Sequence, residues 1–167
     1  YVAAGCSYSQ FESTEKTATA PLQWNIPLNE VAREHSQDMF DNAFFSHKSS
    51  DGTTFSERIR AYYPTGAIGE NIASGFSDIG RVVLRGFMCS AGHRKNLMRA
   101  LWDEVGTGIV SRKYTEDFGD GDVPARAIAM GAHVLSSTSV TFYADYYESS
   151  GAVPRSYEVV LDGTPMD

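Results

Sequence analysis

The run from Pro27 to Ala43 constrains this chain more than any other stretch. Leu28, Val31, Ala32, His35, Met39 and Ala43 recur at spacings of three and four, which puts them on one face of an amphipathic helix. Such a helix is held mainly by whatever covers its apolar face, so the rest of the chain must supply that cover. The helix is expected to end near Phe45, because HKSSDGTTF is dense in turn formers. TFSER then reads as a capping box, with Thr54 at the cap and Glu57 three residues on. It opens a second helix through Ile59 and Tyr62, which Pro64 and Gly66 stop. A further apolar-periodic stretch at 78–88 runs through Ile79, Val82, Val83 and Phe87, with Ser77 as its cap. Another short helix follows His93.

After Trp102 the period changes. VGTGIV and RAIAMGAHV mix β-branched residues with glycine, and SVTFYADYY alternates with aromatic residues. The loop DFGDGDVPA separates the first two, and SYEVVLDG reads as a final strand before a turn. Residues 7–23 read as a long polar loop. Helices first and strands later argue for an α+β fold or an α-β-α sandwich, not a parallel α/β repeat. No internal repeat is visible.

The 167 residues suit one domain with a single core. Hydrophobic content of 42% and charged content of 21% argue against disorder. A net charge of −7 without a basic stripe argues against a nucleic-acid partner and against attraction to anionic membranes. The apolar runs fall far short of the ~20 residues of a membrane span. The opening YVAAGC reads like the last turn of a helix that begins upstream, and also like the end of a lipoprotein signal with Cys6 as the lipidated residue. Two cysteines, Cys6 and Cys89, are consistent with one disulfide or with two free thiols. A bond between them would close a loop of about 80 residues, contribute roughly 4 kcal/mol, and place the protein outside the cytoplasm.

MCSAGHRKNLM sets His93 just after a small-residue turn. Either His93 is a first-turn surface histidine, where the helix dipole favours its neutral ring, or the turn aims it into a cleft. The eleven residues do not choose. His47 reads equally as a surface histidine at a helix end, Glu57 as the capping-box carboxylate, and Glu70 as the acceptor that holds the Gly69–Asn71 turn. His35, on the apolar stripe, is a core or cleft-floor histidine. His133 carries no assigned role. Asp120 and Asp122 only faintly suggest a calcium loop, and the Tyr-rich stretch 142–147 reads as packed sheet and not as a carbohydrate platform.

Four stretches occur in one order: HSQDMFDNAFFSH, GENIASG, SAGHRKNLM and VGTGIV with YTEDFG. Together they resemble the CAP superfamily of cysteine-rich secretory, antigen-five and pathogenesis-related proteins, especially its bacterial SCP-like members. The resemblance covers about residues 1–119. It implies a three-layer α-β-α sandwich with a mainly antiparallel central sheet and an open cleft holding two histidines and two acids. By position these are His47, Glu70, His93 and, least firmly anchored, Glu57, with Asn71, Ser90 and His35 as cleft support. Phe87 stands where bacterial members usually carry tryptophan, and the extra disulfide-rich modules of animal members are absent. The pattern stops after Gly119. We read residues 1–135 as the CAP domain and 136–167 as a β-rich extension.

Two imidazoles and two carboxylates in a cleft suit a divalent ion such as Zn²⁺, with water in an open position. The expectation from the resemblance is a secreted monomer whose cleft binds a lipid, peptide or cell-envelope ligand, with Zn²⁺ held weakly by His47, Glu57, Glu70 and His93. A zinc-dependent peptidase or esterase in the same cleft is the alternative. A Cys6–Cys89 disulfide is expected to steady the turn that presents His93.

Overall fold

A computed structural model of the chain describes residues 11–16, 20–64 and 66–121, and as backbone the strands at 127–135, 140–148, 159–161 and 164–166. Helix α1 spans Ile26–Asp41. Asn25 caps it, its side chain accepting from the Leu28 N–H at 2.9 Å, and Pro27 sits in the first turn, where a missing N–H costs nothing. Leu28, Val31, Ala32, His35, Ser36 and Met39 are its buried face. The helix stops at Asp41 and not near Phe45, because Ala43 turns into the left-handed region at φ 52°. The Ala43 N–H then bonds Phe40 O at 3.3 Å and the Phe44 N–H bonds Met39 O at 3.2 Å. That is a Schellman cap, so Ala43 closes the helix and does not extend its stripe.

Helix α2, Phe55–Tyr62, begins with the capping box of Thr54 and Glu57. In the next apolar stretch Asp78, not Ser77, is the cap, accepting from the Arg81 N–H at 2.9 Å. A single turn, α3 (Ile79–Arg81), runs into a π-helical turn, Val82–Phe87. Helix α4, Ala91–Leu97, carries His93 in its first turn.

The central sheet has strands β1 (Gln23–Trp24), β2 (Ile68–Ser74), β3 (Glu104–Val110) and β4 (Lys113–Gly119), in the order β1-β3-β4-β2. β1 runs parallel to β3, and the β3–β4 and β4–β2 pairings are antiparallel. β1 begins on Gln23, the last residue of the stretch expected to be a loop, and β4 extends through Asp117–Gly119, where a loop was expected to begin. The fold is the expected α+β sandwich. On one face α1 lies directly on β3: a Cβ built on Gly106 would fall 2.1 Å from Asn29 N, and one on Gly108 2.2 Å from the Ala32 carbonyl carbon. Ser36 Oγ fastens this contact to Gly108 O at 3.0 Å and to Thr115 Oγ1 at 2.9 Å. Leu28, Val31, Ile59 and Tyr63 form the core between α1 and α2. On the other face, Ala73 and Tyr114 pack with Val82 and Phe87 of the π turn. Trp102 stacks on Phe118 at 5.8 Å, over a Gly69 whose Cβ would lie 2.8 Å from the indole.

Contacts divide the chain into Tyr1–Asp122 and Val123–Asp167. In the second unit β5 (Ala127–Leu135) pairs antiparallel with β6 (Val140–Glu148), and β7 (Val159–Leu161) with β8 (Thr164–Met166). β5 thus shares a contact unit with its ladder partner β6.

Two substitutions test this account. Gly108→Ala should destabilise by about 3 kcal/mol, since its methyl group meets helix backbone that cannot rotate away. Ala43→Gly should stabilise by about 0.5–1 kcal/mol by relieving the left-handed strain. Urea midpoints at constant m-value would measure both.

Candidate functional site

The site is built around a buried carboxylate on β2. Only 1% of the Glu70 side chain is exposed, and a carboxylate taken out of water needs strong partners. It has two. His47 Nδ1 donates to Oε1 at 2.7 Å, and Arg58 Nη2 donates to Oε2 in a short bond. Arg58 is buried beside Ile59 on α2. Its Nη1 reaches Ser49 Oγ at 2.8 Å and His47 O at 3.3 Å. One guanidinium thus ties α2, the 47–49 loop and β2 together. The His47 side chain is 51% exposed. Because Glu70 takes Nδ1–H, Nε2 is the nitrogen left for solvent or ligand.

Across the ladder from Glu70 stands Asp117. It is wholly buried, and neither of its oxygens receives a hydrogen bond. Burial, and then the neighbouring Glu70 charge, push its pKa well above the ordinary range. In that neutral form the Asp117 hydroxyl is a donor toward Glu70 instead of a second unpaired charge.

Asn71, the next residue on β2, faces the other way. Its Nδ2 donates to His93 O and to Glu116 Oε2, both at 3.2 Å, while its Oδ1 accepts from Asn96 Nδ2 at 3.0 Å. Asn96 also bonds Glu70 O at 3.2 Å. The backbone of α4 is thereby pinned to β2 beside Glu70. The His93 ring has Nδ1 at 3.2 Å from Gly86 O and lies edge-on to Phe87, with centroids 5.3 Å apart. Arg94 anchors the same turn from behind, in a buried ion pair with Glu15 at 3.1 Å and a bond to Met88 O at 3.0 Å.

The structure therefore joins His47 to Glu70 directly and fastens the backbone of His93 to Asn71. It does not bring Glu57 to them by any hydrogen bond. Glu57 is exposed, and its Oε2 accepts from Thr54 N at 2.9 Å and Thr54 Oγ1 at 2.7 Å. Those bonds, the backbone one first, hold its pKa below the usual value. Among the described residues no three His, Cys, Asp or Glu side chains are grouped so that they could hold a metal ion. Ser90 is the cap residue of α4 without a side-chain capping bond. His35 lies in α1 with Nε2 at 2.9 Å from Ser46 O, just before His47 in the chain. Cys6, Asp122 and the side chain of His133 lie outside the described residues.

Sequence reasoning missed Arg58, Asp117, Glu116 and Asn96. The signal for the first two was the alternation in IGENI, which sets Glu70 on the same face as Ile68 and Ile72 and so demands a buried counter-charge.

Glu116 yields a pH test. Burial lifts its pKa from 4.5 to about 7, with the Asn71 bond opposing. A raised acid holds its proton longer in the folded state, so its contribution is full below pH 4.5 and is lost as pH rises through about 7. Glu116→Gln should remove this fall. Denaturation midpoints for the variant and the natural chain should diverge between pH 4.5 and 7, and parallel curves would contradict the assignment.

Comparisons with known proteins follow the same segments. The sequence matches the cysteine-rich secretory protein (CAP) family over residues 15–119. It is 36% identical over 104 residues to the uncharacterized membrane protein YlbC of Bacillus subtilis (strain 168), covering 62% of this chain and 30% of that one. It is 35% identical over 99 residues to the uncharacterized protein YkwD of the same organism, covering 58% and 37%. The chain thus spans about a third of the length of these relatives. Among solved structures, an extracellular SCP-domain protein of Bacillus anthracis superposes with a TM-score of 0.58 at 35% identity, covering 62% of this chain and 35% of that one. An outer surface protein of Borrelia burgdorferi gives 0.56 at 25% identity, covering 60% and 78%. No helix among the described residues is long and apolar enough to cross a membrane. With 105 consecutive residues matched, and the segments carrying His47, Glu70 and His93 among them, this chain belongs to the cysteine-rich secretory protein (CAP) family.

Proposed function

We propose that this chain is an extracellular binding domain that holds an acyl chain, as carried by an envelope lipid, in a groove between the π turn and the β3–β4 face. The observation that carries the reading is an apolar strip left open to solvent. Ile79, Val83 and Ile109 are 56%, 39% and 46% exposed, and with Val82, Phe87 and Tyr114 they line one groove. A joined apolar surface beside a π turn is a common mark of a binding site. Its lining is mainly aliphatic and aromatic, with Thr107, Thr115 and Glu116 as the polar members, and suits a hydrocarbon chain better than a peptide, whose backbone needs a partner for every N–H and C=O. His93 stands at the Phe87 end, where a polar head group would lie.

Weak zinc binding is the second reading, and the orientation of the histidines favours it. Both rings have Nδ1 directed at a protein oxygen, the arrangement that leaves Nε2 for a metal. A full four-residue site fits poorly, because Glu57 is bonded to Thr54 and Glu70 to His47 and Arg58. Two imidazoles alone bind zinc loosely. The hydrolase alternative also loses support, since neither glutamate is free to serve as a base. The Cys6–Cys89 bond is proposed because these are the chain's two cysteines.

Dodecylphosphocholine, added below its micelle concentration, should shift the methyl resonances of Ile79, Val82, Val83 and Ile109 in an NMR titration, and Val83→Asp should abolish the shifts. Shifts that are absent, or that scatter over the surface, would refute the groove. For zinc, calorimetry should find weak binding at pH 7.5 that is lost at pH 5.5, since protons compete with a metal for imidazole nitrogens, and lost in both His47→Ala and His93→Ala. Heat unchanged in either variant would place the ion elsewhere.

A further inference from the structure

Asn71, Glu116 and Thr107 form one row across the sheet, on the neighbouring strands β2, β4 and β3. Thr107 and Glu116 line the apolar groove, while Asn71, at the other end of the row, holds the His93 carbonyl of α4. Alternation along β4 sets Glu116 on the face of Tyr114, against the π turn, and Asp117 on the opposite face with Glu70. Among the residues lining the groove, Glu116 is the one that can carry a full charge at neutral pH. It is half-buried, and so keeps some contact with solvent while the groove is empty.

The acids of β2 and β4 are served unequally. Glu70 has the Arg58 guanidinium and the His47 ring. Glu116 has a neutral amide: Asn71 Nδ2 donates to its Oε2 at 3.2 Å and to His93 O as well. No ion pair among the described residues includes it, and the elements packed around it explain why. β2 presents Asn71, β3 presents Thr107, and the π turn presents Val82, Val83 and Phe87. From α4 comes His93, its ring edge-on to Phe87. On β4 itself Tyr114 donates its hydroxyl to Phe76 O at 3.0 Å, and Asp117 on the far face adds only repulsion. Burial without a counter-charge brings the Glu116 pKa to about 7. Near neutrality the groove therefore has two forms, one wholly neutral and one with an anion in its lining.

We propose that Glu116 is a proton-linked gate of the acyl groove: a hydrocarbon chain lying there covers the carboxyl, which must be neutral, so the chain binds together with one proton from solvent. This rests on the acyl-chain reading above and adds its regulation. An acyl chain removes the water that the carboxylate still keeps and returns no hydrogen bond, a cost that the neutral acid largely escapes. Linkage then works both ways: deprotonation weakens binding, and binding makes deprotonation harder.

The test uses dodecylphosphocholine below its micelle concentration, whose head group does not titrate between pH 6 and 8.5. Calorimetry on the full chain should find binding about fivefold or more weaker at pH 8.5 than at pH 6, with uptake of about half a proton per ligand at pH 7.5 in buffers of different ionisation enthalpy. The Glu116 carboxyl, followed by ¹³C NMR, should titrate about one pH unit higher with ligand than without. Glu116→Gln, which keeps the shape and the Asn71 bond, should bind within about twofold of the natural chain at pH 6, with neither pH dependence nor proton uptake. Methyl shifts at Val82, Val83 and Ile109 with equal affinity at both pH values would leave the groove standing and overturn the gate. A pH dependence that persists in Glu116→Gln would assign it to another group, such as His93, and also overturn it. Absence of binding at either pH would remove the groove reading itself, and the gate with it.

Discussion

Burying the Glu70 carboxylate sets the terms for everything around it. A negative charge on the core face of a strand is tolerable only when donors are fixed against it, and fixing them requires a particular tertiary arrangement. Arg58 must come from α2, so α2 must lie beside β2. His47 must come from the loop after α1, so that loop must turn back over the sheet. The same guanidinium then holds the loop by Ser49 Oγ and by the His47 carbonyl. Such a network adds little net stability over an apolar core of the same volume, whereas losing any single member leaves a buried charge exposed to nothing. It specifies an arrangement more than it strengthens one.

The sandwich layers are set by absence of side chains. Gly106 and Gly108 let α1 rest its backbone against β3, and Gly69 makes room for the Trp102 indole on the opposite face. Alternate residues of a strand point to opposite faces, so the two β3 glycines face α1 while Thr107 and Ile109 between and beyond them face the π turn. Close approach on one face and an open apolar groove on the other therefore arise from one five-residue stretch, Gly106–Thr107–Gly108–Ile109–Val110.

What the sequence revealed divides along the range of the forces involved. The stripe of α1 and the Thr54–Glu57 box were legible because helix periodicity and capping are decided within a few residues. The end of α1 was not, because an alanine took the left-handed cap position that glycine or asparagine usually advertises. β1 was invisible, since two residues paired to a partner some 80 positions away carry no periodic signal. β2 and β4 were obscured by Glu70, Asn71, Glu116 and Asp117, polar residues that would be improbable in a strand unless each found a partner across the sheet. At the site, the resemblance located His47, Glu70 and His93, but residue chemistry alone left each with a bland reading. For Glu57 the bland reading, a capping carboxylate, is what the local geometry displays. Arg58 and Asp117 were missed because their roles exist only through Glu70.

The position of β2 explains how one strand serves two faces. It is an edge strand of the sheet, and consecutive residues Glu70 and Asn71 reach in opposite directions. Glu70 gathers His47, Arg58 and Asp117, while Asn71 gathers Asn96, Glu116 and the backbone of His93. The Asn96 side chain joins the two groups by donating to the Glu70 carbonyl. A ligand that moved the exposed His47 ring would disturb Glu70 and α2 first. It would reach α4 through the Glu70 carbonyl that Asn96 holds, on strand backbone laddered to β4 over seven residue pairs, so the ladder resists transmission from the polar centre to the apolar groove.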